Sequence, residues 1–171
     1  KHLSTIKSSE ADKVLSEGDR LMSSRPSSFL GFLTGGSAPD YHEAAEKYSI
    51  AGNLYKAGGQ WSQAGDAYLK AAEACVKEGM PEEAARKQFA AAACLRKAPG
   101  RAEESIALYE DANQAYIRSG RFAMVGNNEK ECAEICEKEL GDKKRAADFY
   151  AKAAERYLAE NSPAYHTNIT D

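Results

Sequence analysis

Ala44-Ala45-Glu46-Lys47-Tyr48-Ser49-Ile50-Ala51-Gly52-Asn53-Leu54-Tyr55 sets out a small residue, an aromatic four later, a small residue seven later and a bulky residue eleven later. Those offsets return to one face of a helix with 3.6 residues per turn. The same order recurs in Ala64-Tyr68-Ala71-Cys75, Ala85-Phe89-Ala92-Arg96, Ser105-Tyr109-Ala112-Tyr116 and Ala146-Tyr150-Ala153-Tyr157. The third set is the loosest, and Leu95 is expected to take the role that Arg96 cannot. Consecutive sets start about 20 residues apart, and the last two about twice that, with one degenerate helix between them. A helix every 20 or so residues makes a helical hairpin every 40, the mark of a repeat array.

The composition agrees. Alanine, the best helix former, is abundant and lets helices approach closely. Pro26, Pro39, Pro81, Pro99 and Pro163 all fall where a helix should begin or end. No stretch alternates with period two, as a strand would. These signals predict an all-α fold, a TPR-like right-handed stack of antiparallel helical hairpins. It forms a single repeat domain over residues 1–171 with an apolar loop at 29–37.

Glycine, proline and polar breaks predict seven helices. They run from about Ser9 to Ser23, Asp40 to Lys56, Trp61 to Glu78, Pro81 to Lys97, Arg101 to Ser119, Phe122 to Leu140 and Asp142 to Ala159. Asp40 is an expected N-cap, and Pro81 suits a first helical turn. Short gaps between the later helices force neighbours antiparallel. The pattern stops after Pro163 without the polar cap of a terminal repeat, so the chain is expected to belong to a longer array.

Catalytic chemistry has no foothold. His2, His42 and His166 stand in no metal or nucleophile motif, and neither GxxxxGK[ST] nor GxGxxG occurs. Cys75 and Cys94 lie in apolar columns, and Cys132 and Cys136 share a helix face without CxxC spacing, so packing in a reducing compartment is expected. No catalytic residue, metal or cofactor is predicted. A net charge of −3 gives no support for bulk electrostatic binding to nucleic acid, which needs a clear basic excess. No signal peptide opens the chain, and no apolar run is long enough to span a bilayer.

What remains is surface. Phe29-Leu30-Gly31-Phe32-Leu33 is the most apolar stretch, set between a serine-rich break and Gly35-Gly36. It either folds back between the first two helices or offers Phe29, Leu30, Phe32 and Leu33 to a membrane interface. Lys56, Lys97, Arg101, Arg121 and Lys130 are candidates for contacting an acidic partner. A curved wall of helical hairpins suits protein binding. A generic scaffold for peptides or chaperones is the alternative to a more specific adaptor.

Several segments narrow the choice. They are the apolar loop ending in Gly35-Gly36-Ser37, then Ala51-Gly52-Asn53-Leu54-Tyr55-Lys56, Trp61-Ser62-Gln63-Ala64-Gly65-Asp66-Ala67-Tyr68 and Ser119-Gly120-Arg121-Phe122. Ala133-Glu134-Ile135, Glu139-Leu140, Asp142, Ala153-Ala154-Glu155-Arg156-Tyr157 and Asn161-Ser162 complete them. In this order they resemble the soluble NSF attachment proteins of the alpha/beta type, from about Phe29 to Ala164. The resemblance implies a cytoplasmic, peripheral membrane adaptor of vesicle fusion with no chemistry of its own. Such an adaptor binds the assembled SNARE four-helix bundle, of the syntaxin type, through a basic face. It recruits the NSF ATPase through a region beyond residue 171, and its apolar loop touches the membrane. Carried onto this chain, Phe29, Leu30 and Leu33 match large apolar loop positions, and Phe32 stands where the family often has a small residue. Arg121 and Lys97 match SNARE-facing cations. Asn127 stands where the family usually has a lysine, with Lys130 one turn on as its substitute. The lysine expected after Asn161-Ser162 aligns with His166, or with Asn168 under a different loop spacing. Lys56, Lys97, Arg121, Lys130 and His166 are thus the expected SNARE-binding set.

Overall fold

The computed structural model describes residues 2–23 and 39–160, and among them every regular element is an α-helix. The helices are α1 (His2–Ser23), α2 (Tyr41–Ala57), α3 (Trp61–Glu78), α4 (Pro81–Leu95), α5 (Ala102–Arg118), α6 (Phe122–Lys138) and α7 (Lys143–Glu160). Most expected boundaries hold to within two residues, and α1 begins earlier than its apolar periodicity announced. The apolar loop and His166 lie outside the described residues.

Local chemistry explains the boundaries. Asp40 caps α2 by accepting the backbone N–H of Glu43 at 2.9 Å. Pro81 opens α4, where its missing N–H costs nothing. Gly79 closes α3 at φ 81°, and the next N–H, of Met80, returns to the Cys75 carbonyl at 2.9 Å. Each of the five turns from α2 to α7 holds one glycine at positive φ.

Each helix packs against the one before and the one after it. Ion pairs then join alternate helices. Lys70 of α3 meets Asp19 of α1 at 2.6 Å, Arg101 before α5 meets Asp66 of α3 at 2.7 Å, and Arg145 of α7 meets Glu103 of α5 at 2.7 Å. Arg96, just past α4, reaches Glu131, Glu134 and Glu139 in and after α6, and Arg121 before α6 reaches Glu82 of α4. The odd helices therefore form one row and the even helices another. Such half-exposed pairs contribute about 0–1 kcal/mol each, so they align the rows more than they stabilise them.

One apolar cluster runs through both rows, from Ala11 in α1 through Tyr55, Tyr68, Leu95, Tyr109 and Ile135 to Phe149 in α7. The repeated seams are its spine, and Leu95 is fully buried in place of Arg96. The last seam needs correction. Phe149 is buried, whereas Tyr150 is 39% exposed, because the residue turned toward α6 lies one position earlier than the strict offset.

The seam tyrosines are seated by a device that the periodicity did not reveal. A β-carbon on Gly18, Gly52 or Gly126 would stand 2.7, 3.1 or 3.1 Å from the ring of Tyr48, Tyr68 or Tyr157, on the following helix. The next residue in each case accepts the hydroxyl: Tyr48 donates to Asp19 at 2.8 Å, Tyr68 to Asn53 at 2.6 Å and Tyr157 to Asn127 at 2.7 Å. A Gly-Asp or Gly-Asn dipeptide thus clears room for the ring and satisfies its polar tip. Tyr55 uses Asp12 in the same way, without the glycine. Burial first, and then the carboxylate acceptor, raises the pKa of Tyr48 and Tyr55, so both remain neutral donors.

Candidate partner-binding face

Of the expected cations, Lys56, Lys97, Arg121 and Lys130 all lie in or beside the even row. Lys56 is in the last turn of α2, its ammonium 5.9 Å from the centre of the Tyr68 ring. Lys97 follows α4 and stands 4.4 Å from the centre of the Trp61 ring. Trp61 begins α3, so the indole sits at the edge where α2 and α4 end and α3 starts. Burial pushes the Cys94 thiol up, and Lys56 and then Lys97 oppose that shift. Cations at the C-terminal ends of helices are also favoured by the backbone dipoles, which gives this pair a structural reason as well.

Lys130 is exposed in the middle of α6. Arg121 is at the other edge of the even row and is engaged by Glu82 at 3.1 Å. Arg101 lies beside the odd row, held by Glu104 and Asp66, which together raise its pKa. The expected set is therefore not one patch. Lys56 and Lys97 both stand at the C-terminal edge of the even row, Lys130 lies in the middle of α6, and Arg121 is at the opposite edge.

Asn127 gains a role from the geometry. It is the acceptor for Tyr157, and a lysine there could not accept that bond. Its neighbours explain why α6 looked degenerate. Asn128 is fully buried and donates to Asn113 of α5 at 2.8 Å. Glu129 is buried as well, and burial raises its carboxyl pKa against the pull of Arg156 on α7.

Sequence reasoning missed Arg96 and the Trp61–Lys97 stack. An arginine in an otherwise apolar seam was the available signal for the first. For the second there was none, since the two residues are 36 positions apart. All four cysteines are free and buried, and burial pushes the Cys132 thiol up to about 12. They pack as small apolar groups. No described group of three or more His, Cys, Asp or Glu is arranged to hold a metal. No described helix is long and apolar enough to cross a membrane.

The profile of the family described as "Soluble NSF attachment protein, SNAP" matches residues 9–170. The chain belongs to the soluble NSF attachment protein family. Among curated proteins it is similar to "Vesicular-fusion protein SEC17" of Komagataella phaffii, at 30% identity over 157 residues. It is also similar to "Alpha-soluble NSF attachment protein" of Mus musculus and of Homo sapiens, at 32% identity over 156 residues in each case. These alignments cover 91% of this chain and 52% of each relative, so the chain spans about half the length of the curated relatives it matches. The TPR-like hairpin stack is the architecture of this SNAP family.

Proposed function

We propose that this SNAP-family chain is part of an adaptor of vesicle fusion that binds assembled SNARE four-helix bundles of the syntaxin type. The adaptor hands them to the NSF ATPase through sequence that its relatives carry and these residues do not span. The family match over residues 9–170 carries the reading. Exposed Lys56, Lys97 and Lys130 on the even row support it, because an acidic coiled surface is their electrostatic complement. Arg121 and His166 complete the proposed contact set, with Arg121 exchanging Glu82 for a partner carboxylate. The adaptor contributes contacts and orientation, and bond chemistry belongs to the ATPase. It acts in the cytoplasm as a peripheral membrane protein. Phe29, Leu30, Phe32 and Leu33, which lie outside the described residues, are proposed as the membrane contact.

The test is co-sedimentation of the chain with an assembled SNARE bundle at low and moderate salt. Binding is expected at low salt and should weaken as salt rises. Each exposed ion pair is worth about 0.2–1 kcal/mol, so Lys56→Ala, Lys97→Ala and Lys130→Ala together should weaken binding by about tenfold. An absence of binding at low salt would remove the reading. For the loop, serine at Phe29, Leu30, Phe32 and Leu33 should reduce liposome association and leave the melting temperature nearly unchanged. A sharp fall in melting temperature would make those residues core instead.

A further inference from the structure

At the edge of the even row remote from Lys56 and Lys97, α2 and α4 leave a groove of about 420 Å³ between them. Ala45 and Ser49 of α2 and Cys75 of α3 line it. Ile50, 47% exposed, and Met80, 40% exposed, are its large apolar side chains. Neither belongs to the apolar clusters that hold the described helices together. Exposed apolar groups gathered in a groove mark a contact site, and methionine adapts to varied partners.

The charges lining the groove are opposite to those of the cationic edge. Glu83 is bonded by both Lys87 and Arg86, so Glu46 and Glu78 are the carboxylates that, among the described ion pairs, meet no lysine or arginine. His42 lies between those two, with Nδ1 3.3 Å from Glu78 and Nε2 3.8 Å from Glu46. Arg86 and Lys87 both bond Glu83, which holds its carboxyl below the usual range and therefore ionised.

We propose that this groove docks a short amphipathic helix whose apolar stripe is flanked by lysine or arginine. The volume suits a few side chains at i, i+3 and i+4 rather than a whole helix, which is how grooves between helices take helical ligands. The carboxylates select the sign of the flanks. The site has a different charge and position from the cationic face, so it stands or falls apart from SNARE binding.

The probe is a fluorescein-labelled synthetic peptide of about 14 residues, with leucines at helical i, i+3/i+4 spacing and lysines beside them. An analogue carries glutamate in place of every lysine. The lysine peptide should bind the chain and shift the NMR signal of the Met80 ε-methyl group. Ile50→Ser with Met80→Ser should weaken it by at least about tenfold, as should Glu46→Gln, Glu78→Gln and Glu83→Gln together. The glutamate analogue should bind at least about tenfold more weakly. Circular dichroism melting controls for folding, and Ile50 and Met80 are exposed enough to be replaced. The proposal is overturned if the variants bind the lysine peptide like the parent, if the two peptides bind equally, or if the Met80 signal does not move. It is equally overturned if the peptide binds only after Phe29, Leu30, Phe32 and Leu33 are changed to serine, since the chain itself would then be the occupant.

Discussion

Gly65→Ala lowers the stability of the stack by about 2–3 kcal/mol. A β-carbon at Gly65 would stand 2.2 Å from Leu95 Cδ2 and 2.6 Å from its Cγ, with the Ala91 carbonyl oxygen at 3.5 Å. Leu95 is fully buried among α3, α4 and their neighbours, so its side chain has no vacant volume to enter. Leu95→Ala alone should cost about 2–5 kcal/mol as a cavity. Combined, the two changes should cost clearly less than their sum, because the added methyl partly fills the space that leucine vacates. Urea unfolding of the parent, the two single variants and the double variant measures this coupling. Costs that simply add, or a Gly65→Ala protein as stable as the parent, would show that α3 and α4 do not meet as described.

Asn113→Ala should cost about 1–3 kcal/mol, and more than Asn128→Ala. Asn128 donates to Asn113 Oδ1 from a fully buried site, and its own Oδ1 finds no hydrogen-bond partner among the described residues. Losing Asn113 strands the whole Asn128 amide away from water. Losing Asn128 removes an amide that is already half unpaired and leaves one orphaned acceptor. Replacing both by leucine should recover much of the loss, since paired removal leaves no polar group stranded. Denaturant melts rank the variants. An Asn128→Ala protein less stable than Asn113→Ala would reverse the assignment of donor and dependent.

Helix ends were legible because Asp40, Gly79 and Pro81 each force one local geometry. The seams were legible because buried positions repeat with the helical period. Phe149 and Tyr150 show the limit of that signal, since a period cannot choose between adjacent aromatics 100° apart. The family was legible because turn and loop motifs occur in a fixed order. The distribution of charge was not. Whether Arg121 is engaged depends on Glu82, two helices back, and whether Lys97 is stacked depends on Trp61. Such partners are set by the alternation of rows, which appears only once the hairpins are folded.

The tyrosine seats give the wall a direction. In Tyr48, Tyr55, Tyr68 and Tyr157 alike, the hydroxyl points to an acceptor on the preceding helix, never the following one. Loss of a preceding helix would therefore strand a phenol hydroxyl without its acceptor, whereas loss of a following helix would leave that bond in place. Each aromatic seat thus depends on its amino-terminal neighbour, so truncation from that end should cost the wall more than truncation from the other.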